Sequence, residues 1–193
     1  MKSNMEELKK NIIKKITDHF TDTVVKEYEG NRIDITVKKE TISSTLSFLK
    51  DEMGYNHLSH ISCVDWIEEK EFELVYILWS YTDHIKVFVH TRVDRDEPVM
   101  DNIDMIWRQA NTYEREIKEM YGIHFEGLVA PEEFLLEDWQ GPPPMRRDFD
   151  THAYALKTFW DRQDARKDAQ DVRETITERT GEELPDVAKK YSR

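Results

Sequence analysis

Between Tyr113 and Phe125 the chain reads Y-E-R-E-I-K-E-M-Y-G-I-H-F, and Glu114 is the letter that most restricts how it can fold. Apolar residues at Ile103, Ile106, Trp107, Ala110, Tyr113, Ile117, Met120 and Tyr121 recur at helical spacing. They predict an amphipathic helix that starts near Ile103 and stops at Gly122, a residue suited to the left-handed position after a helix. Ile117 and Tyr121 stand three and seven residues beyond Glu114, so its carboxylate lies on the apolar face. An unpaired buried charge is costly, so this group needs a cation or several hydrogen-bond donors. Arg115, Glu116 and Glu119 project to other sides of the same helix.

The elements before this helix follow from periodicity. Leu8, Ile12, Ile13, Ile16 and Phe20 share one helical face over residues 5–20, and Ile42, Leu46, Leu49 and Met53 mark a second helix ended by Gly54. Strict alternation at Ile33, Ile35 and Val37, with Gly30-Asn31 before it, predicts a hairpin of Thr23–Glu29 with Arg32–Val37. Strands follow at about His57–Trp66, Phe72–Ser80 and around Ile85, Val87 and Val89, with tight polar turns between them. The order α-β-β-α-β-β-β-α predicts an α+β domain with a mixed or antiparallel sheet of about five strands and helices on one side. That domain is expected over residues 1–126.

Residues 127–193 read differently. Pro131, Gly141 and Pro142-Pro143-Pro144 break regular structure and favour a stiff extended path, with Trp139, Met145 and Phe149 spaced along it as anchors. Trp139 in the acidic run Glu137-Asp138-Trp139 fits either an interface or the chain's own core. Arg146-Arg147-Asp148, like Arg115, offers bidentate groups for carboxylates, although surface arginines read the same way. A terminal helix is expected at about Trp160–Thr180, with a thin seam of Ala165, Ala169, Val172 and Ile176. Such a seam does not drive folding alone, so the segment is expected to be an extended docking arm with a terminal helix.

Several function classes are disfavoured. A net charge of −12 opposes nucleic acid and anionic membranes. One cysteine, Cys63, makes neither an internal disulfide nor a cluster site. The seven histidines lack metal-site spacing; His57 and His60, on one strand, are expected to face opposite sides. No Gly-rich phosphate loop follows a strand. The first residues lack the apolar stretch of a signal peptide, and the longest apolar run, Leu74–Trp79, is too short to span a bilayer. Membrane association is therefore expected only through partners.

E-R-E-x-x-E-M-Y-G-I-x-F-x-G from Glu114, then F-L-L-E-D-W-x-G and M-R-R-D-F ending at Phe149, resembles the thirty-kilodalton subunit family of respiratory NADH dehydrogenase (complex I) and the related subunit of energy-converting membrane-bound nickel–iron hydrogenases. A looser likeness runs back through Leu58 to Val64-Asp65. The resemblance implies a subunit of the hydrophilic arm with no catalytic, cofactor or metal residues of its own. Iron–sulfur and nickel–iron centres then belong to partner subunits. The implied partners are a hydrogenase-large-subunit-like subunit and an iron–sulfur small subunit, with membrane subunits reached indirectly from the cytoplasmic face. Glu114, Arg115, Glu116, Glu119, Tyr121, Gly122, Trp139, Met145, Arg146, Arg147, Asp148 and Phe149 become the structural and interface residues.

Two departures separate this chain from the quinone-reducing pattern. Gly127-Leu128-Val129-Ala130-Pro131-Glu132-Glu133-Phe134 stands where that pattern has Gly-His and Leu-Arg-Arg. Trp139 to Phe149 carries three prolines and is one residue longer. Both favour the hydrogenase- or ferredoxin-linked branch. The other functional class is a free-standing small-molecule-binding or acid–base domain using Glu114; it predicts a stable lone monomer with a ligand instead of co-elution with redox subunits.

Overall fold

A computed structural model describes residues 2–129 and 133–158. The chain divides into two compact units, Met1–Phe149 and Asp150–Arg193. In the first unit, helix α1 (Lys2–His19) precedes a hairpin of β1 (Val24–Glu27) and β2 (Arg32–Thr36). Helix α2 (Ile42–Asp51) leads to an antiparallel meander of β3 (His57–Trp66), β4 (Glu71–Trp79) and β5 (Lys86–Asp94). Strand β2 pairs in parallel with β5, which joins the two pieces into one mixed sheet of order β1-β2-β5-β4-β3. The expected α+β class with a mixed five-stranded sheet is the class observed.

Alternation sets the faces of that sheet. Ile33, Ile35, Leu74, Tyr76, Leu78, Val87 and Val89 are buried on one side and share a core with Ile12 and Ile16 of α1, Leu46 and Leu49 of α2, and Ile117 of the third helix. The opposite face carries a polar chain across four strands. Arg32 forks onto Asp34, His90 lies between Asp34 at 3.2 Å and Glu73 at 3.0 Å, and Glu73 accepts the Trp66 indole N–H at 2.7 Å. One register shift lies between Leu58 and His60 in β3. It turns both Leu58 and Ile61 into the core, so His57 and His60 both point away from it. The expectation that they face opposite sides assumed an unbroken period of two.

Strand β6 (Val99–Asp101) and strand β7 (His124–Glu126) form a small parallel ladder that buries Met100 and Phe125. Three residues are too few for alternation to reveal a strand. Between them, helix α3 spans Ala110–Tyr121, beginning seven residues later than the apolar spacing implies. Residues 103–109 instead make turns, with Trp107 N–H donating to Ile103 O at 3.0 Å and Asp104 N–H donating to the Asn102 side chain at 2.6 Å. Ile103 and Trp107 still reach the core from that turn, which is why the spacing imitates a helix. Gly122 ends α3 at φ 77° with its N–H on Lys118 O.

The first compact unit runs past the expected boundary at residue 126 and ends at Phe149. The second begins with helix α4 (Thr151–Thr158), whose start is capped by Asp150 through the Ala153 N–H at 2.9 Å. The expected terminal helix at Trp160–Thr180 lies outside the described residues.

Candidate functional site

The conspicuous letters of α3 each hold a different part of the chain. Glu114 is fully buried, as its place on the apolar face requires. Its Oε1 accepts the Ile103 N–H at 2.9 Å, and among the described residues no cation is bonded to it. Burial pushes this carboxyl up to about 7, opposed by the Ile103 N–H and helped by the nearby Asp104. The expected partner is thus a single backbone donor.

Arg115 reaches outward. Its Nη2 donates to the Glu133 carbonyl at 3.2 Å, and its guanidinium lies 4.3 Å from the centre of the Phe134 ring. Glu119, one turn further, accepts three successive backbone N–H groups: Phe134 at 2.9 Å, Leu135 at 2.7 Å and Leu136 at 3.1 Å. Consecutive N–H groups curled around an anion form a backbone nest, and here the anion is the chain's own carboxylate. Glu116 stays half-buried and lines a groove of about 280 Å³ with Cys63, Met120, Tyr121 and Met145.

The C-terminal end of α3 anchors the M-R-R-D-F stretch. Arg146 Nε donates to the Tyr121 carbonyl at 2.7 Å, and Met145 N–H donates to Met120 O at 3.0 Å. The Arg146 guanidinium lies 5.2 Å from the centre of the Phe72 ring. A Cβ on Gly122 would sit 2.9 Å from Pro143 Cγ and 3.1 Å from Arg146 Nη2. Glycine there serves both the positive φ and this close approach. Trp139 Nε1 donates to Pro142 O at 3.0 Å, and its ring lies 5.9 Å from that of Phe149, whose N–H donates to Arg146 O at 3.0 Å.

A buried ionic clamp completes the attachment. Arg95 forks onto Asp65 at 2.8 and 3.1 Å and reaches Asp148 at 2.7 Å. Asp65 also accepts the Arg147 backbone N–H at 2.8 Å, while the Arg147 side chain pairs with Glu68 at the surface. Burial alone would push the Asp65 carboxyl up, but the Arg95 hydrogen bonds and the Arg147 N–H outweigh it and hold it below the usual range. The hydrogen bond from Arg95 also holds Asp148 down.

Residues 133–149 are therefore not a free extended arm. They are turns in which five backbone N–H groups are taken by α3 and β3, and the guanidiniums of Arg115 and Arg146 are engaged by carbonyls and rings within the chain. Asp65 and Arg95 are site residues that sequence reasoning missed. Asp65 falls on the core-facing register of β3, opposite the buried Phe72, which is the signal that marks it; Arg95 sits in the charged run Asp94-Arg95-Asp96-Glu97 and reads as surface.

Chemically this arrangement positions chain segments. Glu114 is closed off from solvent, and burial pushes the Cys63 thiol up, away from the reactive thiolate. Among the described residues no cluster of His, Cys, Asp and Glu has the geometry to hold a metal ion. Among the same residues no helix is long and apolar enough to cross a membrane. Exposed apolar side chains occur before and after α3: Met105 is 94% exposed, Val129 85% and Leu135 53%. The Asn111 side chain donates to Val129 O, and Met105, Arg108, Asn111 and Thr112 line one concavity.

The sequence profile of the respiratory-chain NADH dehydrogenase 30 kDa subunit matches residues 35–155. A subunit of the F(420)H(2) dehydrogenase of Methanosarcina mazei is 30% identical over 147 residues, covering 72% of this chain and 90% of that one. A subunit of the NADH-quinone oxidoreductase of Roseiflexus sp. strain RS-1 is 35% identical over 126 residues, 63% of this chain and 71% of the other. Among solved structures, a chain of the membrane-bound sulfane sulfur reductase, an archaeal respiratory membrane complex, superposes with a TM-score of 0.73 at 31% identity, over 78% of this chain and 90% of that chain. This chain belongs to the family of the respiratory-chain NADH dehydrogenase 30 kDa subunit. Its relatives are subunits of multi-subunit oxidoreductases, and it is a subunit of a complex-I-like respiratory complex.

Proposed function

We propose that this chain is an assembly subunit of the hydrophilic arm in the hydrogenase- or ferredoxin-linked branch of such complexes. It packs against a hydrogenase-large-subunit-like subunit and beside a cluster-bearing small subunit. It holds no cofactor itself, and iron–sulfur or nickel–iron centres sit in those partners. It is peripheral, at the cytoplasmic face of the membrane, and reaches the membrane subunits only through its neighbours.

The observation that carries this reading is the match to a chain of the archaeal membrane-bound sulfane sulfur reductase over most of both chains. The absence of the pattern's histidine and both arginines from Gly127 to Phe134 supports the branch. The exposed apolar side chains Met105, Val129 and Leu135 are consistent with packing against another subunit.

The test is affinity isolation of the tagged chain from its own cells, with mass spectrometry and metal analysis of what co-elutes. A hydrogenase-large-subunit-like protein and an iron–sulfur protein are expected, with metal tracking those partners. Electron entry from reduced ferredoxin, without NADH oxidation, is expected of the isolated complex. A lone monomer carrying stoichiometric iron, nickel or flavin would overturn the reading.

A further inference from the structure

Three polar atoms beneath α3 are buried and have no hydrogen-bond partner among the described residues: Glu114 Oε2, Tyr76 Oη and Asn102 Nδ2. They come from α3, from β4 and from the turn after β6. Asn102 immediately precedes Ile103, whose N–H holds the other oxygen of Glu114. Tyr76 lies on the helix-facing side of the sheet and is fully buried; after burial, the Glu114 and Asp101 carboxylates are the largest causes pushing its phenol up. The three groups thus share one neighbourhood without bonding to one another.

The donor set defines what fits between them. The Asn102 Oδ1 accepts the Asp104 N–H at 2.6 Å, which leaves its NH2 as a donor aimed elsewhere. A donor in the lining excludes a metal cation and calls for an acceptor. Tyr76 both donates and accepts, and Glu114 accepts when ionised and donates when neutral. Water supplies two donors and two acceptors, and buried water characteristically bridges two to four polar groups that are otherwise unsatisfied.

We propose that Glu114, Tyr76 and Asn102 enclose an internal hydration site in which ordered water bridges all three. Burial and the groups facing Glu114 favour its neutral form. Asp104 lies on the adjoining turn, Tyr76 rises from β4, and Asp101 of β6 and Cys63 of β3 bear on Tyr76; none of these supplies a positive charge. The site makes the seat of α3 on the sheet a proton-bearing joint. Loss of the proton places a charge among carboxylates and loosens α3 from β4 and from the turn at Asn102.

The test uses the full chain. A crystal structure grown at about pH 6 is expected to show water within hydrogen-bond reach of Glu114 Oε2, Tyr76 Oη and Asn102 Nδ2. Infrared difference spectra are expected to show a protonated-carboxyl C=O band at about pH 6 that fades by about pH 8 and is missing in Glu114→Gln. Tyr76→Phe, which keeps the carboxyl, is expected to shift that band, a readout that serves even if Glu114→Gln fails to fold. A direct Tyr76–Glu114 hydrogen bond with no water density, a folded wild-type chain without the band at about pH 6, or a band unmoved by Tyr76→Phe would each overturn the proposal.

Discussion

Asp65 accepts the backbone N–H of Arg147 at 2.8 Å across 82 positions of sequence, so the M-R-R-D-F stretch is held by β3 as well as by α3. The same carboxylate takes the fork of Arg95, and both side chains are buried. Breaking a buried pair by removing one partner leaves an uncompensated charge. Arg95→Ala is therefore expected to destabilise the chain by about 3–5 kcal/mol. Arg147→Ala leaves the backbone donor in place and removes only the surface pair with Glu68, for an expected loss under about 1 kcal/mol. Urea melts of the two variants check this; equal losses would mean that the clamp contributes nothing beyond ordinary surface pairing.

The clamp also has a pH signature. The folded Asp65 carboxyl lies below its ordinary value, so its contribution is present above about pH 4 and is lost as pH falls through the folded value. Wild type is expected to lose stability on acidification more steeply than Asp65→Asn. Melts measured between about pH 6 and about pH 3 show it, and parallel curves would remove Asp65 from the account.

Glu114 works in the opposite direction. Its folded value of about 7 stands above the ordinary 4.5. A raised value means that the folded state binds the proton more tightly. The stability this supplies is fully present below about pH 4.5 and is lost as pH rises through 7. The difference corresponds to about 3 kcal/mol. Glu114→Gln is expected to flatten that slope and to be milder than Glu114→Ala, which also opens a cavity. A wild-type profile that is flat from about pH 5 to about pH 8 would show that the carboxyl is not buried as described.

Much of this is legible in sequence, and the misses share a physical cause. Spacing to Ile117 and Tyr121 alone puts Glu114 on the buried face, because side-chain periodicity is written in the letters. Its partner is not legible, because every residue except proline carries the same N–H as Ile103. The parallel pairing of β2 with β5 is hidden for the same reason: strand patterns show faces, not neighbours. Trp139, Met145 and Phe149 are readable as anchors, yet whether they lie on a partner or on their own domain depends on where Asp65, Tyr121 and Glu119 stand in space. Arg95 looks like surface because its neighbours are charged, and only the core-facing register of Asp65 gives it a buried target.

Gly122 tests how tightly the returning segment sits. An alanine there takes a strained left-handed backbone and drives its Cβ against Pro143 and Arg146. Gly122→Ala is expected to cost about 1–2 kcal/mol. It should also speed hydrogen exchange at Met145, whose N–H is bonded to Met120 O beside the clash. A variant as stable as wild type, with unchanged exchange at Met145, would show that the segment has room to shift.

The final prediction concerns where the folded unit ends. Phe134, Leu135, Leu136, Met145 and Arg147 each donate a backbone N–H to α3 or β3. These five amides are expected to be protected from exchange in the isolated chain, before any partner is added. A chain cut after Phe149 keeps all five bonds and the Arg95–Asp148 contact, so its unfolding midpoint is expected to stay within about 2 °C of the full chain. A chain cut after Glu126 strands the Glu119 carboxylate, leaves Arg95 with Asp65 alone and uncovers Phe72 and Tyr121, and is expected to melt lower by about 5 °C or more. Docking defects in the second truncation would then reflect a damaged domain, whereas defects in the first would report on residues 150–193 themselves. If the five amides exchange freely and both truncations melt like the full chain, residues 133–149 are an arm that waits for its partner after all.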